Sequence, residues 1–127
     1  MRVLLDTQLI VWWQIAPERI SPAVAALVQG ADAAFVSRAS LWELAIKTGL
    51  GRLRLDLEVF CRQLEQDGFQ WLAIAEDHLL QVARLPAHED HKDPFDRLLV
   101  AQSLCEPLIL LTADTKLARY GSTVRVV

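Results

Sequence analysis

The segment RVLLDTQLIVWW, residues 2–13, contains a short apolar run, an Asp-Thr pair and a second apolar run. The first run, Arg2–Leu5, is typical of a buried strand, and Leu9–Trp13 is typical of a helix. Asp6 lies between the two and is well suited to begin that helix. The segment therefore predicts a strand that ends on a carboxylate at the point where a helix begins.

This alternation of strand and helix recurs along the chain. Further strands are predicted at 34–36, 71–73, 108–111 and 123–127, and further helices at 22–29, 41–48, 57–66, 77–84 and 94–105. Ser21, Ser40 and Asp93 are the expected N-caps of three of these helices. Helices between short strands imply crossover connections. We therefore expect an α/β fold, with a central, mainly parallel twisted sheet flanked by helices on both faces.

Composition favours one soluble, folded domain over residues 1–127. Hydrophobic residues make up 53% of the chain and charged residues 23%, which separates it from disordered sequences. The longest apolar run, residues 23–28, is far shorter than a membrane span, and Asp6 interrupts the start before a signal-peptide core could form. We expect a cytoplasmic protein with no membrane association, in which Cys61 and Cys105 are buried, reduced thiols.

The charge balance argues against a protein that holds nucleic acid by bulk positive charge alone. Thirteen basic and sixteen acidic residues give a net charge of -3. The charges are nevertheless locally polarised, because residues 44–55 carry basic side chains and no acid, whereas acids predominate in residues 86–96. Candidate contacts to a phosphate backbone are Lys47, Arg52, Arg54, Arg97 and Lys116.

Four acids follow predicted strands or lie on the helices after them: Asp6, Glu43, Asp96 and Asp114. The carboxyl ends of parallel strands share one edge of a sheet, so these side chains can meet there. Clustered carboxylates repel each other unless a cation lies among them. An all-oxygen site favours Mg²⁺, with Mn²⁺ as the alternative, and such a site suits hydrolysis of phosphodiesters.

Each acid also has an ordinary structural interpretation. Asp6 and Asp93 can be helix N-caps, Glu43 can form a surface pair with Lys47, and Asp114 can be a turn residue. The structural interpretation is weaker for Asp96, because the helix that follows leaves little polar surface and a carboxylate there needs a partner. The joint pattern carries more weight than any one of these acids.

Four blocks of the sequence resemble, in order, those of PIN-domain ribonucleases, in particular the VapC-like toxins of bacterial toxin–antitoxin pairs. The blocks are LLDT (4–7), SLWELAIK (40–47), HKDPFDRLLVAQ (91–102) and LTAD (111–114). The resemblance implies a single PIN domain and a metal-binding quartet of Asp6, Glu43, Asp96 and Asp114, with Asp93, Thr112 and Thr7 as accessory residues. Relatives in this subgroup often carry His where this chain has Gln8.

The resemblance also implies an activity and partners. The activity is Mg²⁺-dependent endonucleolytic cleavage of RNA, and the partner is a cognate antitoxin that inhibits it. As a hypothesis, Asp6, Asp96 and Asp114 hold one metal ion while Glu43 positions or deprotonates the attacking water. In-line attack then leaves 5'-phosphate and 3'-hydroxyl ends. We also expect a homodimer.

Two alternatives to a nuclease remain open. A receiver-like phosphoacceptor domain has a similar length and also uses carboxylates with Mg²⁺, and Asp56 superficially resembles its phosphoacceptor site. However, Asp6 lacks an adjacent acidic partner, and Asp56 looks like a helix cap. The second alternative is a catalytically inactive PIN domain that acts only by binding a partner.

The histidines and tryptophans receive structural interpretations. His88 and His91 have the HxxH spacing of a zinc site, but no second ligand pair follows, which favours a solvated loop. The helix 41–48 has an apolar face that includes Trp42, and we expect most tryptophans to lie in the core or an interface. Of the adjacent residues Trp12 and Trp13, one is free to join a dimer or antitoxin surface.

Overall fold

Five parallel strands form one sheet in the computed structural model of the chain, which describes residues 1–127. The strand order is β3-β2-β1-β4-β5, and all neighbouring strands are parallel. This confirms the predicted α/β fold. The strands are β1 (Arg2–Leu5), β2 (Ala33–Ser37), β3 (Gln70–Leu72), β4 (Ile109–Thr112) and β5 (Val124–Val126).

The central position of β1 decides where a site can form. The chain builds outward from β1 through β2 to β3, and then returns to place β4 on the other side of β1. The order therefore reverses between β1 and β4, and a crevice opens at the carboxyl end of such a switch point. Asp6, which follows β1, donates its backbone N–H to the carbonyl of Leu111 in β4, 3.0 Å away. The first carboxylate of the chain is thus fixed at this crevice.

The helices agree with the predicted positions, apart from their ends. They are α1 (Thr7–Ile15), α2 (Pro22–Gln29), α3 (Arg38–Gly49), α4 (Leu57–Gln66), α5 (Glu76–Arg84) and α6 (Pro94–Cys105), with 3₁₀ turns at Pro17–Arg19 and Thr115–Tyr120. Ser21 and Asp93 cap α2 and α6 as predicted. The prediction for Ser40 was wrong: α3 begins earlier, and the Ser37 hydroxyl caps it by accepting the N–H of Ala39 at 3.0 Å.

The core lies on both faces of the sheet because side chains alternate along each strand. Leu4 points to one face, where α6 packs, whereas Val3 and Leu5 point to the other face. The second face is covered by apolar residues of α1, α2, α3 and α4, including Ile10, Val28, Leu44 and Leu64. Helices therefore hold β1 rigidly from both sides.

The strand order excludes the receiver-like alternative. Receiver domains share the flavodoxin-like order β2-β1-β3-β4-β5, in which β1 neighbours β3. Here β1 lies between β2 and β4. Asp56 also follows no strand: it caps α4 by accepting the N–H of Val59 at 3.1 Å.

Several predictions about side-chain environment differ from the structure. Trp42, expected in the core or an interface, is 56% exposed and therefore lies outside the core, because α3 buries Ala39, Ser40 and Leu44 instead. Cys61 and Cys105 are free but only half-buried. No helix combines the length and the apolar composition that crossing a bilayer requires.

Candidate metal centre

A cleft of about 650 Å³ opens at the carboxyl edge of the sheet, beside the switch point. Five acids line it: Asp6, Glu43, Asp93, Asp96 and Asp114. They come from four separate parts of the chain. The other lining residues are Thr7, Gln8, Val11, Leu44, Lys47, Arg52, Leu53 and Ala113.

Asp6 is the most buried of these acids, with only 5% of its surface exposed. Its Oδ1 accepts the N–H of Leu9 at 2.9 Å and so caps α1, while its Oδ2 accepts a short hydrogen bond from the hydroxyl of Thr112. Burial raises the pKa of Asp6, these hydrogen bonds oppose the rise, and the nearby negative charge of Glu43 adds to it. The cap interpretation and the site interpretation of Asp6 are therefore compatible.

Thr112 links two of the acids. Its Oγ1 accepts the backbone N–H of Asp114 at 3.0 Å, which leaves its own proton free for Asp6. Asp114 in turn caps the turn that follows β4, with its Oδ1 accepting the N–H of Lys116 at 2.9 Å. One hydroxyl therefore sets the backbone of Asp114 relative to the carboxylate of Asp6.

Thr7 and Ser40 bring α3 to the cleft. The Thr7 hydroxyl donates to the Ser40 hydroxyl across 2.8 Å, and both residues are buried. Glu43 lies three residues after Ser40, so it shares that face of α3 and points toward the cleft. Its side chain is mostly buried, and its Oε2 lies 2.9 Å from the Lys47 ammonium, as the spacing predicted.

Asp96 enters the cleft from the first turn of α6. Asp93 caps that helix by accepting the N–H of Asp96 at 3.0 Å. The Oδ2 of Asp96 lies 3.2 Å from Nε2 of His91. Burial first and the charge of Asp93 second raise the pKa of Asp96 to about 6, although the bond from His91 opposes the rise.

The donor set fits a divalent cation. The ligand atoms of His91, Asp96 and Asp114 all lie within 4.8 Å of one another. The raised pKa values of Asp6 and Asp96 show that negative charge is costly in this cleft, and a bound cation would remove that cost. Oxygen ligands dominate, which suits Mg²⁺ or Mn²⁺ better than zinc.

The basic residues divide into two groups. Lys47 and Arg52 line the cleft, whereas Arg54, Arg97 and Lys116 do not. Arg97 departs most from its predicted role as a phosphate contact. Its guanidinium donates to the carbonyl of Pro86 at 2.8 Å and to the hydroxyl of Tyr120 at 3.1 Å, so its donors are used inside the protein.

His91 is the residue at this site that sequence reasoning missed. The solvated-loop interpretation of its HxxH segment was wrong, because His91 is only 6% exposed and contacts Asp96 and Tyr120. The one available signal was its position five residues before Asp96 within the HKDPFD block. That spacing alone does not distinguish a buried loop histidine from a solvated one.

The four tryptophans are all at least partly accessible. Trp12 and Trp13 are half-buried against the core face that α1 covers, and Trp71 is half-buried beneath Arg38, whose guanidinium carbon is 4.2 Å from the ring centroid. Trp42 packs edge-on against Phe95 at 5.0 Å between centroids. The Trp42–Phe95 pair joins α3 to α6. Trp42 directly precedes Glu43 in the sequence, and Phe95 directly precedes Asp96.

Comparison with known proteins assigns the fold family. The family model for the PIN domain matches residues 3–122. The chain belongs to the PIN-domain family. Ribonuclease VapC22 of Mycobacterium tuberculosis is similar to this PIN domain, at 28% identity over 93% of this chain and 91% of the relative. The expected family resemblance is therefore confirmed.

Solved structures share the fold of this PIN domain at low sequence identity. One is VapBC2 of Rickettsia felis, solved bound to a DNA fragment from its promoter. The match spans 99% of this chain and 97% of the other chain, at 15% identity and a TM-score of 0.73. Another is a toxin–antitoxin complex from Klebsiella pneumoniae. That match spans 98% of this chain and 96% of the other chain, at 15% identity and a TM-score of 0.68. At these sequence identities, the similarity to the two structures shows a shared fold and nothing further.

Proposed function

We propose that this PIN domain is a divalent-metal-dependent endoribonuclease and the toxin of a toxin–antitoxin pair. The observation that carries the proposal is the convergence of Asp6, Glu43, Asp96 and Asp114 on one cleft at the switch point of the sheet. The similarity to a protein named as a VapC ribonuclease and the fold shared with toxin–antitoxin complexes support the same conclusion. The cofactor is Mg²⁺, with Mn²⁺ able to replace it.

The acids take different roles in this proposal. Asp6, Asp96 and Asp114 bind the cation, and Glu43 orients or deprotonates the attacking water from the wall of α3. A divalent cation held by these residues would lower the pKa of a water molecule and stabilise negative charge that develops on the phosphate oxygens. Thr112 holds the second oxygen of Asp6 through its hydroxyl, and Thr7 holds α3 at the cleft through Ser40. Asp93 supports Asp96 by capping α6.

The substrate class follows from two basic residues that line the cleft together with the acids. Lys47 and Arg52 line the same cleft as the carboxylates, so a phosphate backbone can reach the acids while contacting positive charge. Lys47 also neutralises Glu43, and its exposed ammonium remains accessible to a phosphate. RNA is the substrate that these contacts and the named relative support together.

Protein partners belong to the same proposal. Trp42, Ile46 and Leu50 follow one another at i, i+4 and i+8 spacing, and all three are exposed, Leu50 by 62%. A contiguous exposed apolar stripe is unfavourable in water and is typical of a protein-binding surface. We assign this surface to a homodimer, and we assign inhibition to a cognate antitoxin.

The deciding experiment is cleavage of a mixed RNA pool by the purified chain with Mg²⁺ or Mn²⁺. Cleavage should leave 5'-phosphate ends, stop on addition of EDTA, and be lost in Asp6→Asn, which keeps the size and the cap acceptor of the native side chain. Arg54 does not line the cleft, so the Arg54→Ala variant serves as the control for expression and purification. Cleavage that persists in Asp6→Asn would refute the site. A folded chain without any metal-dependent cleavage would indicate a PIN domain that acts only by binding.

A further inference from the structure

A row of polar side chains leads from the rim of the fold to Asp96. Arg97 donates to the hydroxyl of Tyr120 at 3.1 Å, the Tyr120 oxygen lies 3.0 Å from Nδ1 of His91, and Nε2 of His91 lies 3.2 Å from Oδ2 of Asp96. We propose that His91 is a positioning residue which, through this row, fixes the carboxylate of Asp96 for cation binding. The inference rests on the proposed nuclease function and identifies a further residue of the same site.

The bond to Asp96 decides which nitrogen of His91 carries a proton. An ionised carboxylate only accepts, so Nε2 of His91 carries a proton and donates to Oδ2 of Asp96. In a neutral imidazole Nδ1 then accepts from the hydroxyl of Tyr120, whose oxygen accepts from Arg97. In a charged imidazole Nδ1–H donates to the Tyr120 oxygen instead, and Nε2–H still donates to Asp96.

This bond leaves the two oxygens of Asp96 with different tasks. Oδ2 is held by His91, while Oδ1 makes no hydrogen bond within the protein, and the side chain lines the cleft with the other acids. Histidine usually acts at metal sites as a ligand, but it also orients carboxylates from behind, and such orienting groups affect metal affinity strongly. Because His91 is buried, it has little freedom to move away from Asp96.

The loop that carries His91 is itself fixed from several sides. The ring of His91 packs edge-on against Tyr120 at 5.6 Å between centroids, and the Arg97 guanidinium holds the start of the loop at the Pro86 carbonyl. At the loop tip, Arg119 forms an ion pair with Asp90. These contacts explain why the internal placement of Arg97 matters: it supports both Tyr120 and the loop.

The competing role for His91 is direct ligation, since its nitrogen also lies within 4.8 Å of oxygens of Asp96 and Asp114. A ligand nitrogen must be deprotonated, whereas a positioning nitrogen keeps its proton. Long-range ¹H–¹⁵N spectra of the wild-type protein distinguish the two. We expect Nε2 of His91 to remain protonated with and without saturating Mg²⁺, and loss of that proton on adding Mg²⁺ would overturn the proposal.

Variants test the consequence for the metal. Calorimetric titration of Mn²⁺ should show affinity about 10- to 100-fold weaker in His91→Leu, a smaller loss in Tyr120→Phe, and substantial recovery in His91→Gln, whose amide can still donate to Asp96. His88→Gln is the matched control. His88 lies in the same loop and also packs on Tyr120, at 5.1 Å, but its Nε2 has no hydrogen-bond partner.

The outcomes separate this inference from the proposed function. If wild type binds Mn²⁺ and cleaves RNA while His91→Leu binds Mn²⁺ as tightly, the positioning role is wrong and the nuclease stands. Equal losses in His91→Leu and His88→Gln would show general loop damage and would also overturn the proposal. Loss of Mn²⁺ affinity with KM for RNA unchanged supports it. A wild type that neither binds Mn²⁺ nor cleaves RNA refutes the nuclease itself.

Discussion

Two acids of the cleft, Asp6 and Asp96, lower the stability of the metal-free fold at neutral pH. Asp6 and Asp96 both have raised pKa values, in each case mainly because burial disfavours the charged form. A carboxyl group with a raised pKa contributes stability while it is protonated, at pH values below its unfolded pKa. That contribution is lost as pH rises through its folded pKa, which is about 6 for Asp96. Metal binding reverses the loss, because a cation stabilises the charged form.

Asp96→Asn should therefore stabilise the metal-free protein at neutral pH. The substitution removes the ionisation while its amide oxygen can still accept from His91. We expect the free energy of unfolding to rise by on the order of 1–2 kcal/mol at pH 7.5, and much less at pH 4, where the native carboxyl group is already protonated. Urea unfolding in EDTA at the two pH values measures this. A variant less stable than wild type at pH 7.5 would contradict the argument.

Proton competition should also weaken metal binding in acid. Asp96 must be ionised to hold a cation, and burial first and the charge of Asp93 second raise its pKa to about 6. Mn²⁺ affinity should accordingly be about tenfold lower at pH 5 than at pH 7. Protonation of Asp6, whose pKa burial also raises, would act in the same direction. Calorimetric titration across this range measures the change, and an affinity independent of pH would show that Asp96 does not hold the metal.

At the scale of elements, Asp93 combines a cap with a charge, and two substitutions separate them. Asp93→Ala removes the cap of α6 and should cost about 1 kcal/mol of stability. Asp93→Ser keeps a capping oxygen but removes the charge, so stability should be retained and the pKa of Asp96 should fall. Thermal unfolding and a carboxyl titration by NMR measure the two effects. Equal destabilisation by Ala and Ser would show that the charge, not the cap, supports α6.

Local patterns made the elements predictable, and tertiary contacts explain what was missed. The strand 2–5 and the caps Ser21 and Asp93 depend on neighbouring residues only, so the sequence is sufficient for them. Ser40 has the composition of a cap but forms its hydrogen bond with Thr7, 33 residues away. An apolar face also does not say what covers it, which is why the exposure of Trp42 was not predicted.

The candidate site was predictable to the extent that topology determines it. Parallel strands bring their carboxyl ends to one edge, and so the positions of Asp6 and Asp114 follow from the strand pattern. Glu43 and Asp96 were candidates because they lie on helices of the same strand–helix pattern, and the resemblance to PIN domains implied the same four acids. The environment of His91 depends on Tyr120, 29 residues further along the chain, and on the packing of a loop without regular structure. Such a contact leaves no periodic signal in the sequence.

At the scale of the whole molecule, the proposed function requires a chain with a net charge of -3 to bind a polyanion in its cleft. The structure places the acids and the basic side chains Lys47 and Arg52 on the walls of one opening. Once the cation neutralises the acids, the remaining charge of the cleft favours phosphate. Binding of RNA should therefore depend on a few basic residues rather than on the overall charge.

Arg52 and Arg54 provide the sharpest test of this view, because they are two residues apart and their replacement changes the net charge equally. Arg52 lines the cleft and Arg54 does not. In the non-cleaving Asp6→Asn background with Mg²⁺ present, Arg52→Ala should weaken RNA binding and reduce the salt slope of log Kd by about 0.7, the loss of one single-strand phosphate contact. Arg54→Ala should leave the slope unchanged. Fluorescence anisotropy of a labelled RNA over a range of KCl concentrations measures both slopes. Equal slope changes in the two variants would mean that RNA contacts the basic segment 52–54 as a whole, and that RNA binding is not confined to the cleft.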